Sequence, residues 1–194
     1  HSSAKTSPPV WRCPAPTSLR RGSGAGTSTC GPGVRCSGHQ KDSIYPQDTT
    51  VNFISTLLEE FGDEWGNKWM FHYRWARDID QLASARRIAQ LTQPDANAEQ
   101  LDQLTEQVRL RMTGRVWFVG SNPETAPQIE ASLHLALKQL EVHLESRAYF
   151  LGDRPSFGDF SLWGQLYNVW TDPTNCALIE AKMPNLLAWI QRML

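Results

Sequence analysis

Two indoles, an imidazole and a phenol, Trp65, Trp69, His72 and Tyr73, recur at i, i+4, i+7 and i+8. On an α-helix they can share one face. Flat apolar walls around a single orienting polar group suit the binding of a small apolar molecule. The same spacing also suits a core, with the indoles packed and His72 hydrogen-bonded among them, and both readings stay open. Arg74 and Arg77 fall on a different face, where a solvated ion pair with Asp78 or Asp80 is expected. A second constellation, Ser156-Phe-Gly-Asp159, has the spacing of a helix-capping box: a hydroxyl at the N-cap and a carboxylate three residues on. Its chemistry is structural, the satisfaction of backbone groups that a helix start leaves unpaired.

Other reactive side chains form no pattern. Cys30, Cys36 and His39 are spaced C-x5-C-x2-H, which fits no standard zinc arrangement, and no metal site is expected. His134 and His143 lack partner spacing for a metal. Cys176 has no nearby base and is expected to pack as a small hydrophobe. No Ser-His-Asp set, glycine-rich phosphate loop or paired carboxylates stand out.

The elements that must position these residues are helices. Asp48 is a good N-cap, and Val51, Ile54, Leu57, Leu58 and Phe61 follow at helical spacing. Gly62 and Gly66 weaken that helix without ending it. The stretch from Trp65 to Trp75 is aromatic on nearly every face, which implies burial on more than one side. Ile79 to Leu91 has the helical period and could continue the first helix, and Pro94 stops it. Leu101, Leu104, Val108 and Met112 mark another helix, closed by Gly114. Ser121-Asn-Pro-Glu124 reads as a capping box opening a helix striped by Ile129, Leu133, Leu137, Leu140 and Leu144. After a short extended piece at Tyr149-Phe-Leu-Gly152, the Ser156 box opens a helix to about Trp170, with Pro155 and Phe160 as a hydrophobic staple. Two short helices follow, near 174–181 and 184–194. No alternating run argues for a strand, so the fold class is all-α, with five to seven helices over residues 48–194.

The first 40 residues differ in kind. Twenty-two of them are Gly, Pro, Ser or Thr, and their apolar residues have no period. Such a stretch buries too little to offset its ordering entropy, so residues 1–43 are expected to be a disordered tail with a linker, ahead of one domain at 44–194. The tail holds Lys5, Arg12, Arg20, Arg21 and Arg35 and no Asp or Glu, so the remainder, with 14 basic and 20 acidic residues, carries a formal −6. That acidity is a poor match for nucleic acid or an anionic membrane, and neither is expected as a partner. The longest apolar run, Leu186 to Ile190, is five residues, far short of the roughly 20 that span a bilayer. One cysteine in the helical body suits a reducing, cytoplasmic setting.

Leu151-Gly-Asp-Arg-Pro-Ser-Phe-Gly-Asp-Phe-Ser-Leu162 resembles the N-capping segment of the sixth helix of glutathione transferases. Ser43-Ile-Tyr-Pro-Gln-Asp48 is similar to the interdomain linker of a bacterial-type branch. Asp63-Glu-Trp65 and Met70-Phe-His-Tyr-Arg-Trp75 resemble its fourth helix. Gly120-Ser-Asn-Pro-Glu-Thr-Ala-Pro-Gln-Ile-Glu130 and Met183-Pro-Asn-Leu-Leu-Ala-Trp189 also fit, in the right order, across three quarters of the chain. The resemblance implies the helical C-terminal bundle of that family. It implies a structural capping role for Ser156 and Asp159, and a wall for an apolar electrophile at Trp65, Trp69, His72 and Tyr73. In the family, glutathione is a co-substrate bound by a thioredoxin-like first domain that also supplies the catalytic Tyr, Ser or Cys. Residues 1–40 match none of its motifs, and Asp42-Ser43 only superficially resembles its acidic-Ser dipeptide. No catalytic residue and no cofactor are therefore expected in this chain, which reads as a truncated member; a misread or out-of-frame segment is one explanation of its first 40 residues. Complete members are usually homodimers; for this chain a monomer is the expectation. Besides a truncated product with no selected role, two functions compete. One is the electrophile side of a glutathione-conjugating transferase, inactive alone. The other is a non-catalytic helical module that binds proteins or apolar ligands.

Overall fold

The computed structural model describes residues 43–194, so the expectations for the tail, including Cys30, Cys36 and His39, lie outside the described residues. Helix α1, Thr49–Phe61, begins where Asp48 Oδ1 accepts the Val51 amide at 2.9 Å. It passes through a wide π turn, Gly62–Gly66, into α2, Asn67–Ala76, without a break. The rod ends at Arg77, whose extended backbone (φ −124°, ψ 139°) separates it from α3, Asp78–Thr92. Helix α4, Ala98–Thr113, starts from a reciprocal box between Asn97 and Gln100. A 3-10 turn, Val116–Val119, leads to α5, Ala126–His143, then α6, Phe157–Trp170, α7, Pro173–Lys182, and α8, Pro184–Arg192. With α1 and α2 taken as one rod, the described residues make seven helices and no strand; Tyr149 and Gly152 form only an isolated bridge.

Helix α6 is the centre of the bundle. It packs on α1, α2, α7 and α8, while α3 and α4 form a hairpin at the flank of α2. Leu162, Leu166 and Val169 of α6 meet Leu133 and Leu137 of α5, Ile179 of α7 and Leu186, Trp189 and Ile190 of α8 in one core. The α1–α6 crossing is close because small residues face each other. Gly158 N–H donates to Ser55 Oγ at 3.0 Å, and a Cβ at Gly158 would lie 2.7 Å from Leu58 Cβ.

Two helix starts are tied down by buried carboxylates. At α6, Asp159 Oδ2 accepts from the Ser156 amide (2.9 Å) and hydroxyl (2.7 Å). Its Oδ1 accepts from the Phe150 amide (3.0 Å) and the Trp189 indole (3.1 Å). At α7, Asp172 precedes Pro173 and accepts from Ser84 Oγ (2.7 Å), Arg74 Nε (2.9 Å) and Arg87. Asp80 reaches across from α3 to take the Thr174 amide (2.9 Å) and hydroxyl (2.6 Å). Burial pushes the Asp80 carboxyl above its ordinary value of 3.8, and the negative charge of Asp172 adds to this, against the pull of the Thr174 hydrogen bonds.

Several local expectations are corrected. Arg74 pairs with Asp172 and Arg77 with Glu130 (2.7 Å), not with Asp78 or Asp80, because the folded chain brings carboxylates from α5 and the α6–α7 junction across their paths. Ser121-Asn-Pro-Glu124 is a turn before the helix, not its capping box: Asn122 Oδ1 accepts the Glu124 and Thr125 amides, and α5 starts at Ala126. Phe160 is partly exposed, and the ring contact at this helix start is that of Phe157 on Tyr45, ring centres 5.2 Å apart.

Candidate functional site

The aromatic face of α2 is held against α5. Trp65 lies in the π turn and Trp69 one turn on, and both indole N–H groups donate to the same oxygen, Ser132 Oγ, at 3.1 and 2.7 Å. Ser132 passes its own proton to Ile129 O at 2.8 Å. One hydroxyl thus satisfies two large apolar side chains whose buried N–H groups would otherwise be costly.

The two polar candidates are likewise engaged. His72 Nδ1 is 2.8 Å from Ser121 Oγ, and Nε2 is 3.2 Å from Glu130 Oε1. Arg77 shares that carboxylate and covers the Tyr73 ring at 4.8 Å. Burial pushes the Glu130 carboxyl up, but hydrogen bonds from His72 and the charge of Arg77 outweigh this and leave it below its usual value. The Tyr73 hydroxyl is 3.0 Å from His134 Nε2. Burial, reinforced by Glu130, pushes that phenol up to about 12, so it stays protonated at neutral pH.

The structure therefore brings all four residues together but turns three of them inward. Trp69, His72 and Tyr73 are 1–3% exposed, and neither shallow depression found among the described residues borders them. Trp65 alone is half-buried, with Lys68 Nζ 5.9 Å from its ring centre. Beside it on the same rod runs an apolar stripe whose spacing alone predicts only helix packing. Phe53, Ile54, Leu57 and Phe61 are 40–61% exposed on the outer face of α1, while Ser55, Leu58 and Gly62 take the face toward α6. Phe61 meets Trp69 edge-on at 5.3 Å, so stripe and aromatic face are continuous. No group of three or more metal-ligating side chains occurs among the described residues. An apolar surface backed by a hydrogen-bonded polar layer can bind apolar molecules; the Ser121, Ser132 and Tyr73 hydroxyls are each engaged within the protein.

Ser132, Ser121 and Glu130 were missed in the sequence. Ser132 carried the one available signal, a small hydroxyl beside Leu133 on an otherwise apolar stripe. The model of the glutathione S-transferase C-terminal domain matches residues 95–192, half of the chain. The chain belongs to that family. No curated protein and no solved structure matches it. The matched span holds α4 to α8, including the Ser156–Asp159 knot and the Ser132 anchor of the glutathione S-transferase bundle. Helices α1 to α3, and with them Trp65, Trp69, His72 and Tyr73, precede it. No described helix is long and apolar enough to cross a membrane.

Proposed function

We propose that this domain serves the electrophile side of a glutathione-conjugating transferase, and that Trp65 with the outer stripe of α1 forms its apolar wall. The observation that carries the reading is the exposed run Phe53, Ile54, Leu57 and Phe61, which meets Trp69 through Phe61. Four large apolar side chains on one exposed face favour a covering partner, at about 25 cal/mol per Å2 of apolar surface removed from water. In the family that the chain belongs to, a thioredoxin-like domain with bound glutathione is the natural occupant, and the electrophile sits between the two. Trp69, His72 and Tyr73 then act from behind, holding the wall on α5 instead of touching the co-substrate. The thiol chemistry belongs to the glutathione-binding domain, so the helical domain alone does not conjugate. The complete assembly is proposed to be a cytoplasmic homodimer. The competing reading, a module that binds apolar ligands without catalysis, uses the same wall.

Titration with 1-chloro-2,4-dinitrobenzene, followed by tryptophan quenching, tests the wall. Saturable quenching by the full chain should weaken in Trp65→Ala and Leu57→Ser; equal affinity in all three proteins would remove the wall from α1 and Trp65.

A further inference from the structure

The turn between α4 and α5 points its largest side chains away from the core. Within Val116–Val119, Val119 is buried while Trp117 and Phe118 are 67% and 60% exposed. The turn is pinned on both sides. Lys68 Nζ donates to Val119 O at 3.4 Å, Ser121 Oγ meets His72 at 2.8 Å, and Thr125 Oγ1 donates to Gly120 O at 2.7 Å. With its flanks held inward, the turn presents Trp117 and Phe118 as one knob, their rings edge to face at 4.2 Å. Leu110, on the last turns of α4, is exposed as well.

Between Glu106 and Glu124 the chain that carries the knob has only basic charges. Residues 107–123 contain Arg109, Arg111 and Arg115 and no Asp or Glu, in a body that is otherwise acidic. Arg109 is tied to Glu106, and the Arg115 guanidinium lies 5.9 Å from the Phe118 ring centre. Neither Arg111 nor Arg115 forms an ion pair with a carboxylate among the described residues.

We propose that this knob docks on an anionic lipid surface, with Trp117 and Phe118 in the headgroup zone and Arg111 and Arg115 on lipid phosphates. The depressions lined by Lys138 and Arg147 and by Tyr45 and Pro155 do not reach these residues, whose rings project into solvent instead of lining a cleft. An aromatic pair that projects beside unpaired guanidinium groups matches the interface of a bilayer, where tryptophan concentrates and cations meet anionic lipid. Single-stranded nucleic acid would need open ring faces for stacking; here the rings meet edge to face and Arg115 lies by Phe118. The acidic remainder of the domain opposes adsorption elsewhere and so confines contact to this end. This contact is local, it is proposed against the expectation drawn from the acidic body as a whole, and it does not rest on the transferase reading.

The test is co-sedimentation of the full chain with phosphatidylcholine vesicles, with and without phosphatidylserine. Lys5, Arg12, Arg20, Arg21 and Arg35 could also meet anionic lipid, so variants that all keep them decide the matter. Wild type should partition onto serine-containing vesicles, and Trp117→Ala/Phe118→Ala and Arg111→Ser/Arg115→Ser should each lower partitioning about tenfold, with unchanged circular dichroism. Absence of wild-type binding, or variants that bind like wild type, would overturn the proposal. So would self-association lost in the aromatic variant, or tighter binding of a single-stranded oligonucleotide than of vesicles.

Discussion

The starts of α5 and α6 are built from similar sequences, Ser121-Asn-Pro-Glu124 and Ser156-Phe-Gly-Asp159, and they fold differently. At α6 the fourth residue is fully buried, and its carboxylate gathers four donors from the turn, the cap and α8. At α5 Glu124 is exposed, Ser121 turns away to His72, and Asn122 organises the turn with exposed hydrogen bonds. The two sites show that a local hydrogen-bonding pattern does not set its own energetic weight. Burial does, because only a group removed from water loses more than it can regain when its partner is deleted.

The largest effect separating the two sites is expected at Asp159. Asp159→Ala strands the Phe150 and Ser156 amides, the Ser156 hydroxyl and the Trp189 indole, and should cost roughly 3 kcal/mol or more in urea unfolding. Glu124→Ala should change stability by less than about 0.5 kcal/mol, as for other exposed sites. A loss at Asp159 as small as that at Glu124 would erase the contrast.

Ser156→Ala and Asn122→Ala sharpen it further. Each removes one member of a helix-start network, and each should cost about 1 kcal/mol, Ser156 more because its partner is buried. Reversal of that order, at an unchanged urea slope, would mean that the α5 turn holds the bundle more firmly than the α6 cap.

The smallest effect is a pH slope at α7, where Asp80 is buried but meets only Thr174 through hydrogen bonds. Its folded pKa is raised above 3.8, so the folded state holds the proton more tightly than the unfolded chain. Stability from this group is therefore fully present below pH 3.8 and is lost as pH rises through the raised folded value. Urea midpoints of Asp80→Asn against pH should lack that decline; a variant with the same slope as wild type would assign it to another group.

What could be read from the sequence was what depends on near neighbours. Apolar stripes located the helices, and Ser156 and Asp159 stand three residues apart and interact directly. What could not be read depends on sequence-distant partners. Arg74 meets Asp172, Arg77 meets Glu130, and Ser121 meets His72 across 49 residues or more. The outer stripe of α1 was hidden for a related reason. Ile54 and Leu57 have the same spacing whether they face α6 or solvent, and only the close Gly158 contact decides which side of α1 is covered.

The proposed wall comes without a thiol site, since the hydroxyls of Ser121, Ser132 and Tyr73 around the candidate face are each bonded within the protein. Activating a thiol whose free pKa is about 8.5 takes a donor left available to it. The most direct measurement is calorimetric titration of the full chain with glutathione, run beside a conjugation assay with 1-chloro-2,4-dinitrobenzene. No saturable heat and no turnover above the uncatalysed rate are predicted; saturable glutathione binding with turnover would contradict the account.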